Sequence, residues 1–283
     1  MLFVPRQSYQ TFSSDNWGAN PATTIGTSVV PGASSAEGNW TQVASSANIS
    51  QDIYGFYMLV HSGATSGSIK LHVLDVGVDP AGGTSYTAVI SNLVCGESPA
   101  LTAAGLREHY FPLFIKAGSS VAVRISGSNA TAGTVRVAMR FYGQFSSPMQ
   151  VPTGMYSESY GVTGTSGTSI TPGNAADGAW TQVGTTTNPI WWWQLGYQIN
   201  NGTITAEYTY LELGVGDATN KFSVFKVMHG GTTGETCGLA GQAQLLWHNA
   251  YYPVPSGVNV YVRGRCNNAP DTGYEVGVIG IGG

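Results

Sequence analysis

Charge is what this chain has least of: Asp, Glu, Lys and Arg together make up 9% of its 283 residues, against about 25% in ordinary globular proteins. The net charge of −4 leaves no basic field for gathering phosphates, which argues against nucleic acid as a partner. Cysteine is scarce too. Cys95, Cys237 and Cys266 are too few and too unevenly spread for a disulfide framework; three buried thiols is the preferred reading, with a Cys237 to Cys266 bridge as the alternative. No apolar run reaches the length of a membrane span. The stretch Met1-Leu2-Phe3-Val4-Pro5-Arg6 has neither the positive n-region nor the apolar h-region of a secretory signal. On that basis the Asn-X-Ser/Thr sequons at Asn39, Asn48, Asn129 and Asn201 read as chance in a Ser/Thr-rich chain.

The usual catalytic signatures are missing as well. There is no Gly-X-Ser-X-Gly nucleophile elbow, no His-Glu-X-X-His zinc motif and no Gly-rich loop ending in Lys-Ser/Thr, which lowers the odds of the commonest hydrolases and nucleotide enzymes. The histidines, His61, His72, His109, His229 and His248, are scattered singly and read as ordinary polar or core residues rather than ligands. No metal, no cofactor and no enzymatic activity are expected.

What is abundant is glycine, at 39 residues, together with 42% hydrophobic content and seven Trp. That apolar surface is enough to offset chain entropy, so the low charge does not mean disorder. The chain is also written twice, with Ser14 to Gly143 recurring imperfectly over Ser157 to Gly282. Gly38-Asn39-Trp40-Thr41-Gln42-Val43 matches Gly178-Ala179-Trp180-Thr181-Gln182-Val183, with Glu37 over Asp177. Ile53 to Val78 runs without a gap over Ile190 to Val215, and Val121, Val123 and Arg124 fall on Val260, Val262 and Arg263. A period of about 139 residues is far too long for a solenoid or propeller repeat, so each copy is a whole domain. The expected division is residues 1–150, a first β-sandwich with an amino-terminal arm and linker, and residues 151–283, a second β-sandwich.

Within one copy, short runs rich in Val, Ile, Tyr and Thr alternate with Gly, Pro, Asn and Ser clusters. This is the pattern of an all-β sandwich or barrel. In the first copy the runs are Thr27 to Val30, Trp40 to Ala44, Ile53 to His61, Ile69 to Val78, Ser85 to Leu93, Tyr110 to Ile115, Val121 to Ser126 and Thr134 to Tyr142. Eight strands in two sheets is the jelly-roll count. Only Ala100 to Glu108 reads as a short helix. The expected fold is therefore all-β, two tandem, internally duplicated jelly-roll-like β-sandwich domains.

Period two assigns the faces. Leu74, Val76 and Val78 sit over Leu211, Leu213 and Val215, and Tyr54, Phe56, Met58 and Val60 sit over Trp191, Trp193, Leu195 and Tyr197. Both sets are apolar in both copies and should point inward. Trp192, which replaces Gly55, is then the outward member of Trp191-Trp192-Trp193. It is a candidate for an interdomain or intersubunit contact ahead of glycan stacking, with Trp17 and Tyr251 as further aromatic candidates. Because Trp192 sets the copies apart, the second domain is expected to make the larger specific contact.

The best charged constellation is itself duplicated: Asp75 and Arg124 correspond to Glu212 and Arg263. An Arg–carboxylate pair tying strands or subunits is the preferred reading over a metal or acid–base site. Asp79 and Asp217 read as turn initiators. A pair of carboxylates for glycoside cleavage drawn from Asp75, Asp79, Glu212 or Asp217 is the minor alternative.

Gly38-Asn39-Trp40-Thr41-Gln42-Val43, Leu74-Asp75-Val76-Gly77-Val78-Asp79-Pro80-Ala81-Gly82-Gly83-Thr84-Ser85-Tyr86 and Phe111-Pro112-Leu113-Phe114-Ile115-Lys116-Ala117-Gly118-Ser119-Ser120-Val121-Ala122-Val123-Arg124 together resemble duplicated β-sandwich virion proteins of tailed bacteriophages. The likeness covers essentially the whole chain, but through scaffold motifs. It implies membership of a virion after synthesis in the host cytoplasm, and brings no catalytic residues with it. The expectation is a non-enzymatic capsid decoration or cement protein on the outer head surface, with the major capsid protein as its main partner. Closed symmetry makes a homo-oligomer, with a trimer as the natural form, the expected assembly. The alternative is a tail or fibre module that binds host-surface glycans; a polysaccharide depolymerase stands third.

Overall fold

A computed structural model describes residues 11–12, 26–32, 36–62, 72–95, 107–127, 135–143, 153–164, 166–199, 208–230, 253–267 and 273–283. The described chain is all-β. The first copy contributes β1 (Thr11–Phe12), β2 (Thr27–Val29), β3 (Thr41–Ala44), β4 (Gly55–Ser62), β5 (His72–Asp79), β6 (Thr87–Val94), β7 (Arg107–Phe111), β8 (Ser120–Gly127) and β9 (Val135–Tyr142). The second contributes β10 (Tyr156–Tyr160), β11 (Val162–Thr163), β12 (Ser166–Ile170), β13 (Gly173–Asn174), β14 (Thr181–Thr185), β15 (Trp192–Ile199), β16 (Tyr208–Gly216), β17 (Lys221–Gly230), β18 (Asn259–Cys266) and β19 (Tyr274–Gly282). Of the expected helix, Arg107 and Glu108 lie in β7, extended against Val60 and Leu59, and the rest lies outside the described residues. Pairing to β4 gives that segment the backbone partners that an isolated short helix lacks. Among the described residues no helix is long and apolar enough to cross a membrane.

The first copy forms two facing sheets with strand orders β2-β9-β4-β7 and β3-β8-β5-β6, β1 joining the first by pairing β9. The second repeats the scheme as β12-β19-β15 and β14-β18-β16-β17. That interleaving is a jelly roll, so the protein is two tandem jelly-roll-like sandwiches. Among the described residues no sheet mixes strands of the two copies. The linker around Val151 lies outside the described residues.

The faces follow the alternation. Phe56, Met58, Leu74, Val76, Val121, Val123, Phe141 and their neighbours fill the first core, and Trp193, Leu195, Leu211, Leu213, Val260, Val262 and Val276 the second. Trp191 is only half-buried, packed against the first domain's core rather than its own. Asp79 caps the turn after β5, accepting hydrogen bonds from the Ala81 and Ser85 backbone N–H groups at 2.9 Å each. Asp217 does the same after β16, accepting from Thr219 and Asn220 at 2.7 and 2.6 Å. Both are Asx-type turns.

The two sandwiches are bonded together by a surface that alternation alone leaves outward. Trp192, Ile279 and Ile281, on the outer face of the β15–β19 pair, are buried in the first domain's core cluster. Trp192 is 5% exposed, with its ring centroid 5.9 Å from that of Phe111. Trp192 thus lies in the contact between the two sandwiches, with its ring enclosed by the first domain and no face left for a sugar. Gly196 and Gly277 sit opposite each other in register and make a flat place for Val94, since a Cβ on Gly277 would lie 2.7 Å from Val94 Cγ2. Polar contacts cross the seam as well. Gln194 Nε2 meets His109 Nδ1 at 2.5 Å, Ser157 Oγ donates to the Val89 carbonyl at 2.5 Å, and Gly154 N–H donates to the Pro112 carbonyl at 2.7 Å.

Candidate functional site

The duplicated acids and arginines form one arrangement, made once in each domain. In the first, β5 and β8 set Asp75 directly opposite Arg124. Arg124 Nη2 and Nε donate to Asp75 Oδ2 at 2.8 and 3.0 Å, and Nη1 reaches Glu37 Oε2 at 2.5 Å. The guanidinium lies over the Trp40 ring, 4.4 Å from its centroid. In the second, Arg263 Nε donates to Glu212 Oε2 at 2.6 Å, Nη2 reaches Asp177 Oδ2 at 2.7 Å, and the guanidinium lies 4.3 Å from the Trp180 centroid. A planar cation held between an aromatic face and two carboxylates combines charge-assisted hydrogen bonds with cation–π attraction. It also covers the outward face of β5 at Asp75 and Gly77.

The repeated hexapeptide is thereby accounted for. Gly38 N–H donates to Ile125 O and Gly178 N–H to Gly264 O, both at 2.8 Å, which brings each tryptophan over its arginine. Gly77 and Gly214 lie beneath the tryptophans; a Cβ at either would stand 2.7 Å from the indole Cη2. We expect Gly77→Ala or Gly214→Ala to lever the ring off the guanidinium and to cost about 1–3 kcal/mol, the ordinary penalty of overpacking, measured by urea unfolding. An unchanged midpoint would show that the ring is free to shift.

The copies differ around this clasp. In the first, Asn92, with φ of 59°, turns its backbone N–H onto Asp75 Oδ1 at 2.7 Å. In the second, Lys226 Nζ stands 3.3 Å from Glu212 Oε2, and β16 carries Tyr208 and Tyr210 on the same outward face as Glu212. The result is a cleft of about 300 Å³ whose lining includes Asp177, Tyr208, Tyr210, Glu212, Lys226, Arg263 and Arg265. Burial opposes the charge on Glu212, but hydrogen bonds from Ser223 and Arg263, the Arg263 charge and Lys226 outweigh it and hold the carboxyl below its usual range.

Glu158 forms a separate acidic feature on β10. It accepts from Thr187 Oγ1, Thr187 N, Asn188 N, Asn188 Nδ2 and Tyr160 Oη at 2.5 to 2.9 Å. Burial works against its charge, yet these donors hold it below its usual range.

Of the other candidates, Trp17, Tyr251 and Cys237 lie outside the described residues. Cys95 and Cys266 are buried thiols, their Sγ atoms 3.5 and 3.3 Å from the carbonyls of His72 and Gly173. Among the described residues no group of three or more His, Cys, Asp or Glu is placed to hold a metal ion. Tyr208, Tyr210 and Arg265 were missed by sequence reasoning; the signal available was the i, i+2 spacing of two tyrosines before Glu212, which shares their face.

No family model matches the chain, and no curated protein matches it. Among solved structures it is similar to a peptide-N4-(N-acetyl-β-D-glucosaminyl)asparagine amidase at 12% identity and a TM-score of 0.39, over 87% of this chain and 89% of that one. A second likeness is to the glycosylasparaginase PNGase F from Flavobacterium meningosepticum, at 14% identity, TM-score 0.39, over 92% and 94%. A third is to the tandem CBM22 domain of Paenibacillus barcinonensis Xyn10C, at 10% identity, TM-score 0.24, over 85% and 82%. Likeness at this level carries over no activity or ligand.

Proposed function

We propose that this protein is a non-enzymatic structural component of a tailed-phage virion, a decoration protein that binds the outer head surface through the major capsid protein. The observation that carries the reading is the use made of the acids. Asp75 and Glu212 are each engaged by an arginine that is stacked on a tryptophan, in the same way in both domains, while Asp79 and Asp217 hold turns. A clasp repeated in each copy serves a scaffold. An active site is needed once. The bonded seam between the sandwiches supports the same reading, since a protein that reinforces a particle transmits force best as one body.

Intact phage labelled with immunogold against this protein should carry label over the head. Label confined to tail tip or fibres would move the assignment to host attachment, and unlabelled particles would overturn virion membership. Light scattering of the purified protein should give a trimer; a monomer in the assembled particle would sink the symmetric assembly.

A second reading, a tail or fibre module for host-surface glycans, is favoured by one observation. The second domain has an open cleft with two tyrosines at its edge, 39% and 38% exposed, where the first domain closes its carboxylate with a backbone N–H.

A further inference from the structure

We infer that the cleft on the second domain is a site for an acidic sugar, a pyranose that carries a carboxylate, with Arg265 as the group that binds the acid. The inference rests on the glycan reading and names its ligand class. The cleft is lined by Lys226, Arg263 and Arg265 against Asp177 and Glu212, three positive charges against two negative, in a chain whose total is −4. With Arg263 and Lys226 set against the two acids, Arg265 is the surplus positive charge of the lining.

The cations are not equivalent. Arg263 is held by Asp177 and Glu212, and Lys226 is drawn to Glu212. Arg265 is exposed and has no ion pair among the described residues. It is directly opposite Tyr210 across β16 and β18. Its guanidinium fork suits a carboxylate, and that pairing is the strong, directional kind. Tyr210 and Tyr208 stand edge to face with ring centroids 5.6 Å apart, offering apolar surface with a hydroxyl rim to the C–H face of a sugar ring. The partly exposed carboxylate of Asp177 remains within the lining to accept from sugar hydroxyls. A volume of about 300 Å³ is at the small end of ligand sites, roughly 300–1,000 Å³, which fits a short saccharide rather than a protein segment.

The test is titration of the full chain with the methyl glycosides of glucuronate, galacturonate and N-acetylneuraminate beside methyl glucoside, read by calorimetry and saturation-transfer NMR. At least one acidic glycoside should bind about tenfold or more tightly than the glucoside, and Arg265→Gln should remove that preference, as expected for losing one charge-assisted contact. Tyr210→Ala should weaken acidic and neutral sugars alike. Because Arg265 has no ion-pair partner among the described residues to orphan, the Arg265→Gln variant should melt with the parent, which separates lost binding from lost folding. Equal binding of acidic and neutral sugars, or a preference that survives Arg265→Gln, would overturn the acidic assignment and leave the glycan reading standing. Failure of every sugar would overturn both. An acetylated acidic peptide that binds more tightly than any glycoside would reassign the cleft to a protein partner and overturn the inference.

Discussion

Replacing Trp192 by alanine should destabilise the protein by about 3–5 kcal/mol, the range for emptying a large aromatic from a close-packed interior. The side chain is 5% exposed and packs into the first domain's core although its backbone belongs to the second. The loss should therefore show in the coupling between domains. Thermal unfolding of the parent should be a single transition, and Trp192→Ala should separate it into two, with the first domain melting earlier because its core is opened. Trp193→Ala is the contrast, since Trp193 belongs to the second core and should lower the second domain's own transition. A Trp192→Ala variant that melts like the parent would show that the seam is held by its hydrogen bonds instead.

Removing the clasp arginines should be nearly as severe, and unequal. Arg124→Leu should cost about 3–5 kcal/mol, the range for leaving one charge of a buried pair uncompensated, and Arg263→Leu less, because Glu212 keeps a cationic neighbour. Asp75 would retain the Asn92 N–H, whereas Glu212 would retain both Lys226 and Ser223. The pH dependence has a definite sign for Glu212. Its carboxyl is held below its usual range in the folded protein, so its contribution is complete above the unfolded pKa and is lost as the pH falls through the folded one. In Arg263→Leu much of that support is gone. The difference from the parent, measured by denaturant unfolding, should be largest at neutral pH and shrink as the medium is acidified. A difference that does not change with pH would mean that packing of the guanidinium on Trp180, rather than its charge, is what the variant loses.

The cleft and the seam were legible in the sequence to different degrees. The opposition of Asp75 to Arg124 and of Glu212 to Arg263 can be read by overlaying the copies, because substitution of Asp by Glu against an unchanged Arg signals a retained partner. That Trp40 and Trp180 cover those arginines cannot be read so, since β3 meets β8 only through the sheet pairing. The cleft on the second domain was hidden for a similar reason: Lys226, Tyr210 and Arg265 come from three strands that only pairing makes neighbours. Trp192 shows the limit of period two. Alternation places it on the face away from the second core, and it is there, but whether that face meets water or another domain depends on a surface far away in the chain.

By itself, then, the sequence determined the duplicated all-β architecture, the strand faces and the absence of the common catalytic motifs. These depend on local alternation, turn residues and the self-comparison of two copies, all of which are written along one dimension. Tertiary structure alone decided that Trp192 completes the first domain's core, that each arginine is clasped by a tryptophan and two acids, and that Glu212 borders a cleft while Asp75 accepts a backbone N–H from Asn92. Those outcomes depend on which side chains converge from separate strands, and convergence is a property of packing in three dimensions.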